Sequence, residues 1–508
     1  MSAGRRVARN SLWYGMEVAL GALVTLGTSV LMSRIFGPER LAPFTYLVWM
    51  TYVAGTLATV GLPGATQKYM TEYLGKNQPG MAYRIFWMGF KAQLILVGVA
   101  LPIGVGLVWF LLPPDQRWMG IWLVVGMAPR MLGFVVSQIN AAIEDMSLNL
   151  PAAVLANLTS VLVTVAAIWL GWGLTGVAAA QPVGHTADLI AKLFITRRTR
   201  RAWQAAGVPP PDRELNGRIR RFAFQGIGLA LLAVVVWDRS DLVLLKHLHP
   251  DAAQVTFFSY AYTQVEKLLL ITQVVGSAMG FNLLKQYGRD HRRVASLAVA
   301  SGSYLLLIGL PVLLGAVALS RPVWMIYGDA FAPAVPVFIV MALLATPRLV
   351  LWPVQSLLQA TENQSFLVKW GCVCGAVNIG LDWWLIPAHG AMGAAIGNGI
   401  GQSMAAVGGW AFVVRRFGPD LGARRLASIV LSGGVMCAAA AACTLWLPPL
   451  PGAAVGVVTG IAVYLGMLRV TRALSQEDRD RFLSLVSTVP AALSYPCRRI
   501  LWSVIPQA

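Results

Sequence analysis

Charge is scarce in this chain: Asp, Glu, Lys and Arg make up only 12% of its 508 residues, against about 25% in soluble domains. That scarcity excludes a soluble globular frame. Cysteine is also rare, with five residues (Cys372, Cys374, Cys437, Cys443 and Cys497), all in or next to apolar segments. Cys372-Val-Cys374 has no further ligand types near it, so it reads as small apolar packing rather than a metal pair. No Gly-x-x-x-x-Gly-Lys-Ser/Thr stretch occurs, which excludes a nucleotide-driven motor within the chain. His-Glu-x-x-His and Cys/His ligand clusters are absent too. The expected outer loops are short. They leave no room for the extramembrane acid/base constellation of an integral-membrane glycosyltransferase or polymerase.

What the chain does have is apolar length. Hydrophobic residues make up 57%, mean hydropathy is +0.65, and runs of about 20 apolar residues recur throughout. Fourteen such runs are expected between residues 12 and 470. The first, from Leu12 to Met32, is longer than a signal-peptide core and lacks a small-residue cleavage site after it, so it reads as a membrane helix. The formal charge of +19 follows topology. Arg5, Arg6, Arg9, Lys68, Lys76, Arg84, Arg197, Arg198, Arg200, Arg201, Lys285, Arg289, Arg415, Arg416, Arg424 and Arg425 fall on one expected side. The other side holds only Arg34, Arg40, Arg117, Lys246 and Arg321. This positive-inside bias places both termini in the cytoplasm and removes the case for nucleic acid as a partner.

The chain also repeats itself. Pro129-Arg130 recurs as Pro347-Arg348, and Ala142-Ile-Glu-Asp-Met-Ser147 as Ala360-Thr-Glu-Asn-Gln-Ser365, both 218 residues apart. Gly173-Leu-Thr-Gly-Val-Ala178 recurs as Gly390-Ala-Met-Gly-Ala-Ala395 at 217. A repeat of six spans is even, so two parallel lobes of six helices are expected around a central cavity. The organisation is then an N-lobe over 1–196, a cytoplasmic Pro-rich linker over 197–221, and a C-lobe over 222–415. Two extra membrane helices follow over 416–470, and a cytoplasmic tail over 471–508. In the tail, Ser475 and Asp478 suggest a capping box opening an amphipathic helix with Phe482, Leu483 and Val486 on its apolar side.

Ionisable groups at bilayer depth are costly and mark function by default. Arg130 and Arg348 sit too deep to snorkel, and neither has an acid beside it in sequence. Either each is a structural arginine bonded to carbonyls or a buried acid, or the two line one cationic cavity; the duplication favours the cavity. Lys91, Arg239 and Lys267 join them as candidate substrate-binding groups, with Glu17, Asp238, Asp241 and Glu266 as candidates for gating or coupling. Glu266 and Lys267 are adjacent and so point apart on a helix. Asp382, beside Trp383 and Trp384, reads as part of an interfacial aromatic belt.

Asn10-Ser-Leu-Trp-Tyr14 and Ser33-Arg-Ile-Phe-Gly-Pro-Glu39 resemble the opening of the polysaccharide-lipid (Wzx-type, O-antigen) flippases. So do Trp237-Asp-Arg-Ser-Asp241 before Phe258-Ser-Tyr-Ala-Tyr262, and Tyr327-Gly-Asp-Ala-Phe331 upstream of Asn378 to Ala395. The resemblance spans roughly residues 8–415. It implies the multidrug/oligosaccharidyl-lipid/polysaccharide exporter fold, all-α and membrane-integral. It also implies movement of undecaprenyl-pyrophosphate-linked glycans to the periplasmic leaflet of the bacterial inner membrane, without a cofactor. A proton gradient, sodium gradient or the membrane potential would drive it, and a glycan polymerase would be its partner. The two extra helices and the His-rich Lys246-His-Leu-His-Pro-Asp251 depart from that pattern, and fourteen helices also suit the lipid II flippase branch. A multidrug cation antiporter of the superfamily would need acidic cavity groups, whereas the duplicated deep groups here are basic. Arginine's planar fork suits a diphosphate.

Overall fold

The computed structural model describes residues 3–210, 213–287, 291–361, 363–476, 478–480 and 483. Among them every regular element is helical. The chain forms two compact units, Met1–Leu242 with Pro250–Thr256, and Val243–His249 with Phe257–Ala508.

The first unit begins with α1 (Ala3–Ala58), which is two helices meeting at Gly37-Pro38. Then come α2 (Leu62–Gly75), α3 (Pro79–Leu111), α4 (Pro114–Ala142), α5 (Leu150–Trp169) and α6 (Gly173–Ile195). The short α7 (Arg197–Ala205) and the long α8 (Arg213–Trp237) close it. Small residues bring these helices together, as expected where lipid removes the hydrophobic drive between them. A Cβ on Gly126 of α4 would stand 3.1 Å from the Pro182 nitrogen of α6, and one on Gly184 would collide with Ser160 of α5. Trp203 of α7 and Leu215 and Ile219 of α8 are buried in the same apolar cluster as Tyr69, Phe86 and Ile139. The expected linker is therefore partly helical and packed.

The second unit carries α9 (Asp241–Leu248) and α10 (Ala253–Tyr287), whose first residues fall in the first unit, then α11 (His291–Ala318) and the single-turn α12 (Ser320–Trp324). There follow α13 (Ala334–Leu344), a 3-10 turn at Thr346–Val350, α14 (Leu351–Ala360) and α15 (Gln364–Phe417). The expected extra helices are α16 (Ala423–Trp446) and α17 (Pro449–Val470). They pack on α11, where the Tyr464 hydroxyl donates to the Leu307 carbonyl at 2.8 Å.

Nine described helices are long and apolar enough to cross a membrane, two of them running through the breaks at Gly37 and Gly390. Three further expected spans fall on α6, α8 and α10, which are not among the nine. Two glycines at matched positions of the expected repeat have unusual backbone conformations. Gly173, which opens α6, has φ 61°, and its counterpart Gly390, which breaks α15, has φ 52°. Both have a positive φ, which glycine enters cheaply.

Candidate substrate cavity

Arg130 is set by α4. Its neighbour Pro129 lacks an N–H, yet α4 runs on through it, as a membrane helix can when neighbours compensate. The Arg130 guanidinium lies over the Tyr52 ring of α1, 4.4 Å from its centroid. Among the described residues no carboxylate oxygen lies within 4 Å of it, so an aromatic face rather than an acid accommodates the charge. A cavity of about 230 Å³ opens on one side, lined by Thr51, Tyr52, Arg130, Gln181 and His185 among others. A second, of about 450 Å³, shares Tyr52, Arg130 and His185 and extends to Phe134, Asp188 and Lys192.

Lys192 donates to Asp188 at 2.6 Å, with side chains only 13% and 17% exposed. His185, Asp188 and Lys192 recur at i, i+3 and i+7, which puts them on one face of α6. Gly133 of α4 makes room for that face, since a Cβ there would meet Asp188 Oδ2 at 3.2 Å. Glu17 of α1 is within electrostatic reach of both Lys192 and Asp188. Its Oε2 is buried with no hydrogen-bond partner among the described residues. Sequence reading found Arg130 and Glu17 but missed Tyr52, His185, Asp188 and Lys192. The helical spacing of the last three was the available signal.

The second copy of the arginine is built differently. Pro347 ends α13 in a 3-10 turn, and Arg348 stands in that turn rather than mid-helix as expected. Arg348 donates to Glu266 of α10 at 2.5 Å, with side chains 12% and 28% exposed. An acid 82 residues away in sequence thus supplies the partner that the local sequence lacks. This is the geometry of the structural alternative, and the two arginines are not equivalent in surroundings. The Lys267 Nζ is buried without a hydrogen-bond partner among the described residues.

The remaining candidates scatter. Lys91 is exposed on α3 and lines neither cavity. Asp238 and Arg239 form a local pair at 3.6 Å between α8 and α9, and Asp241 is fully buried at the start of α9. Asp382 corrects the belt reading. Trp383 and Trp384 are exposed as an interfacial belt requires, but Asp382 is 1% exposed and packs against Gly397. Alternation around a helix sends neighbours in sequence to opposite environments.

Residues 7–281, more than half the chain, match the family described as polysaccharide biosynthesis protein. The chain belongs to this family. No curated protein gives a sequence match. Among solved structures, this polysaccharide biosynthesis family member is similar to the lipid II flippase MurJ in an inward closed conformation. That match has TM-score 0.68 at 14% identity and covers 91% of this chain and 98% of that one. It is also similar to an inward-facing multidrug resistance MATE transporter of the MOP superfamily, with TM-score 0.63 at 15% identity over 78% and 94% of the two chains. A third is a MOP superfamily transporter from Pyrococcus furiosus described as having a binding pocket of reversed polarity. There the TM-score is 0.60 at 17% identity over 81% and 95%. At these identities the likeness is one of fold.

Proposed function

We propose that this family member is a flippase, not an enzyme, and that it carries a polyprenyl-diphosphate-linked oligosaccharide across the bacterial inner membrane by alternating access. The observation that carries the reading is Arg130, deep in a membrane unit, lining two cavities and neutralised by no carboxylate. A diphosphate needs cationic donors where water is scarce, and the guanidinium fork matches its oxygens. Arg239 and Lys267 are proposed as further cationic contacts and Glu17, Asp238 and Asp241 as gating or coupling groups, while the Arg348–Glu266 pair is proposed as a structural tie. The orientation proposed is cytoplasmic termini with export to the periplasmic face, where a glycan polymerase uses an O-antigen-type product. An inside-negative potential favours that direction for an anion by about 2.3 kcal/mol per charge per 100 mV.

Asp188 beside the cavity favours one alternative, a cation antiporter of the same superfamily. Reconstitution into vesicles with a fluorescent diphosphate-linked glycolipid separates the two. Protein-dependent transfer of the intact lipid between leaflets supports the flippase. Its absence, together with uptake of an organic cation, overturns it.

A further inference from the structure

The cavity of the first unit is charge-balanced rather than cationic. Its wall takes Tyr52 from α1, Arg130 from α4, and His185, Asp188 and Lys192 from α6, and Glu17 of α1 lies within electrostatic reach of Lys192 and Asp188. With histidine neutral, the two cations among these described residues are matched by two carboxylates. A diphosphate diester brings two negative charges. Entering unprotonated surroundings, it would leave the site with an uncompensated double charge where water is scarce, which low effective dielectric penalises.

The hydrogen bonding leads to the same place. Lys192 is the second cation within the larger cavity, and Asp188 already occupies it at 2.6 Å. A phosphate oxygen that takes the ammonium strands Asp188, a side chain with little exposure to water and held close by Gly133. Glu17 already has a buried oxygen without a hydrogen-bond partner among the described residues, and it lies within reach of the same ammonium. Two carboxylates competing for one lysine that the ligand removes cannot both stay ionised at low cost. A proton shared between them resolves the conflict.

Resting on the flippase reading, we infer that diphosphate binding in this cavity draws in a proton, held by the Glu17–Asp188 pair. Asp188 is thus a stand-in for the ligand's anion on Lys192, displaced when substrate arrives, and Glu17 is the group that absorbs the displacement. The substrate itself is not chemically altered. One proton passes from solvent to a carboxylate and returns when the ligand leaves. His185, on the same face of α6, is the other titratable group of that wall. Substrate and proton then reinforce each other's binding by the same factor, by linkage. Protonation that instead expelled the substrate is the opposite sign.

The experiment is calorimetry on the full chain in detergent, titrated with a synthetic short-chain prenyl diphosphate-linked N-acetylglucosamine near neutral pH. A diester is chosen because it has no ionisation of its own there. Binding heats in buffers of different ionisation enthalpy give the number of protons taken up. About one proton per ligand is expected for the wild type, so that affinity weakens close to tenfold per unit rise in pH. Glu17→Gln with Asp188→Asn should bring both figures towards zero while the ligand still binds. Arg130→Gln should weaken binding yet leave the proton count unchanged. Binding with no proton uptake, or with release, overturns the inference and leaves the flippase reading standing. No binding by the wild type at any pH overturns that reading instead. The wild-type slope decides alone if the double variant fails to fold.

Discussion

Arg130 and Arg348 share a sequence motif but should answer mutation in different ways. Arg348 is tied to Glu266 at 2.5 Å, and both side chains are mostly shielded. Arg348→Ala leaves that carboxylate without its partner, so a loss of about 3–5 kcal/mol is expected, seen as a lower thermal midpoint in detergent. Arg348→Met with Glu266→Gln should recover much of it, because no unpaired charge remains. Arg130 has only the Tyr52 face, worth about 1–2 kcal/mol, so Arg130→Ala should stay folded and monodisperse while transport falls sharply. Equal destabilisation by the two alanine variants would contradict the assignment. The sequence pointed to both arginines by depth and repetition. It concealed Glu266 as the partner because the contact closes across helices far apart in the chain.

At the scale of elements, the tail is held more firmly than its sequence suggests. Ser475 and Asp478 do form the expected capping box. The Ser475 N–H donates to Asp478 Oδ2 at 2.8 Å, and the Asp478 N–H donates to Ser475 Oγ at 3.3 Å. Asp478 also accepts from the Tyr304 hydroxyl of α11 at 2.5 Å and from Arg425 of α16 at 3.3 Å. Truncation after Thr471 removes both contacts, so a lowered thermal midpoint is expected for the truncated chain. Of the apolar face expected for the tail helix, Leu483 is described, while Phe482 and Val486 lie outside the described residues. Burial raises the Asp478 carboxyl, but the hydrogen bonds from Tyr304 and Ser475 and the charge of Arg425 outweigh it and hold it below the usual value. A depressed carboxylate stabilises the folded state above its unfolded pKa, near 3.9, and loses that contribution as pH falls through the folded value. Tail attachment should therefore be constant at neutral pH and weaken only below about pH 4. Hydrogen exchange at Ser475 and Arg479 measures it, and Asp478→Asn should show the weakened exchange pattern at every pH.

Backbone breaks are the other element-scale feature. Gly390 has φ 52° and ψ −128°, a combination open in practice to glycine alone. Gly390→Ala should cost about 1–3 kcal/mol, read as a thermal shift, while alanine at Gly380, which has open space around its Cβ position, should be nearly neutral. Helix content and the pair α16 and α17 were readable from apolar runs. The 3-10 turn at Thr346–Val350 was not, because Pro129 and Pro347 present the same dipeptide while only one of them ends its helix.

For the whole molecule, sidedness is the property on which the direction of transport depends. The basic residues fall so unevenly among the loops that the segment around α7 is expected in the cytoplasm, where Arg197, Arg198 and Arg201 stand exposed. Retaining several arginines on one side costs little there, whereas translocating them would cost more with each added charge. Gln204, exposed near the end of α7, is a suitable reporter because substitution there disturbs no buried contact, whereas Trp203 beside it is in the core. Cys372, exposed on α15, must first be replaced by serine so that it does not add to the signal. In intact cells Gln204→Cys should then resist a membrane-impermeant maleimide, and after permeabilisation it should react fully. The reverse result, labelling without permeabilisation, would invert every loop of the first unit. The flippase would then be inserted to carry a diphosphate inward, a direction that the inside-negative membrane potential opposes by about 2.3 kcal/mol per charge per 100 mV.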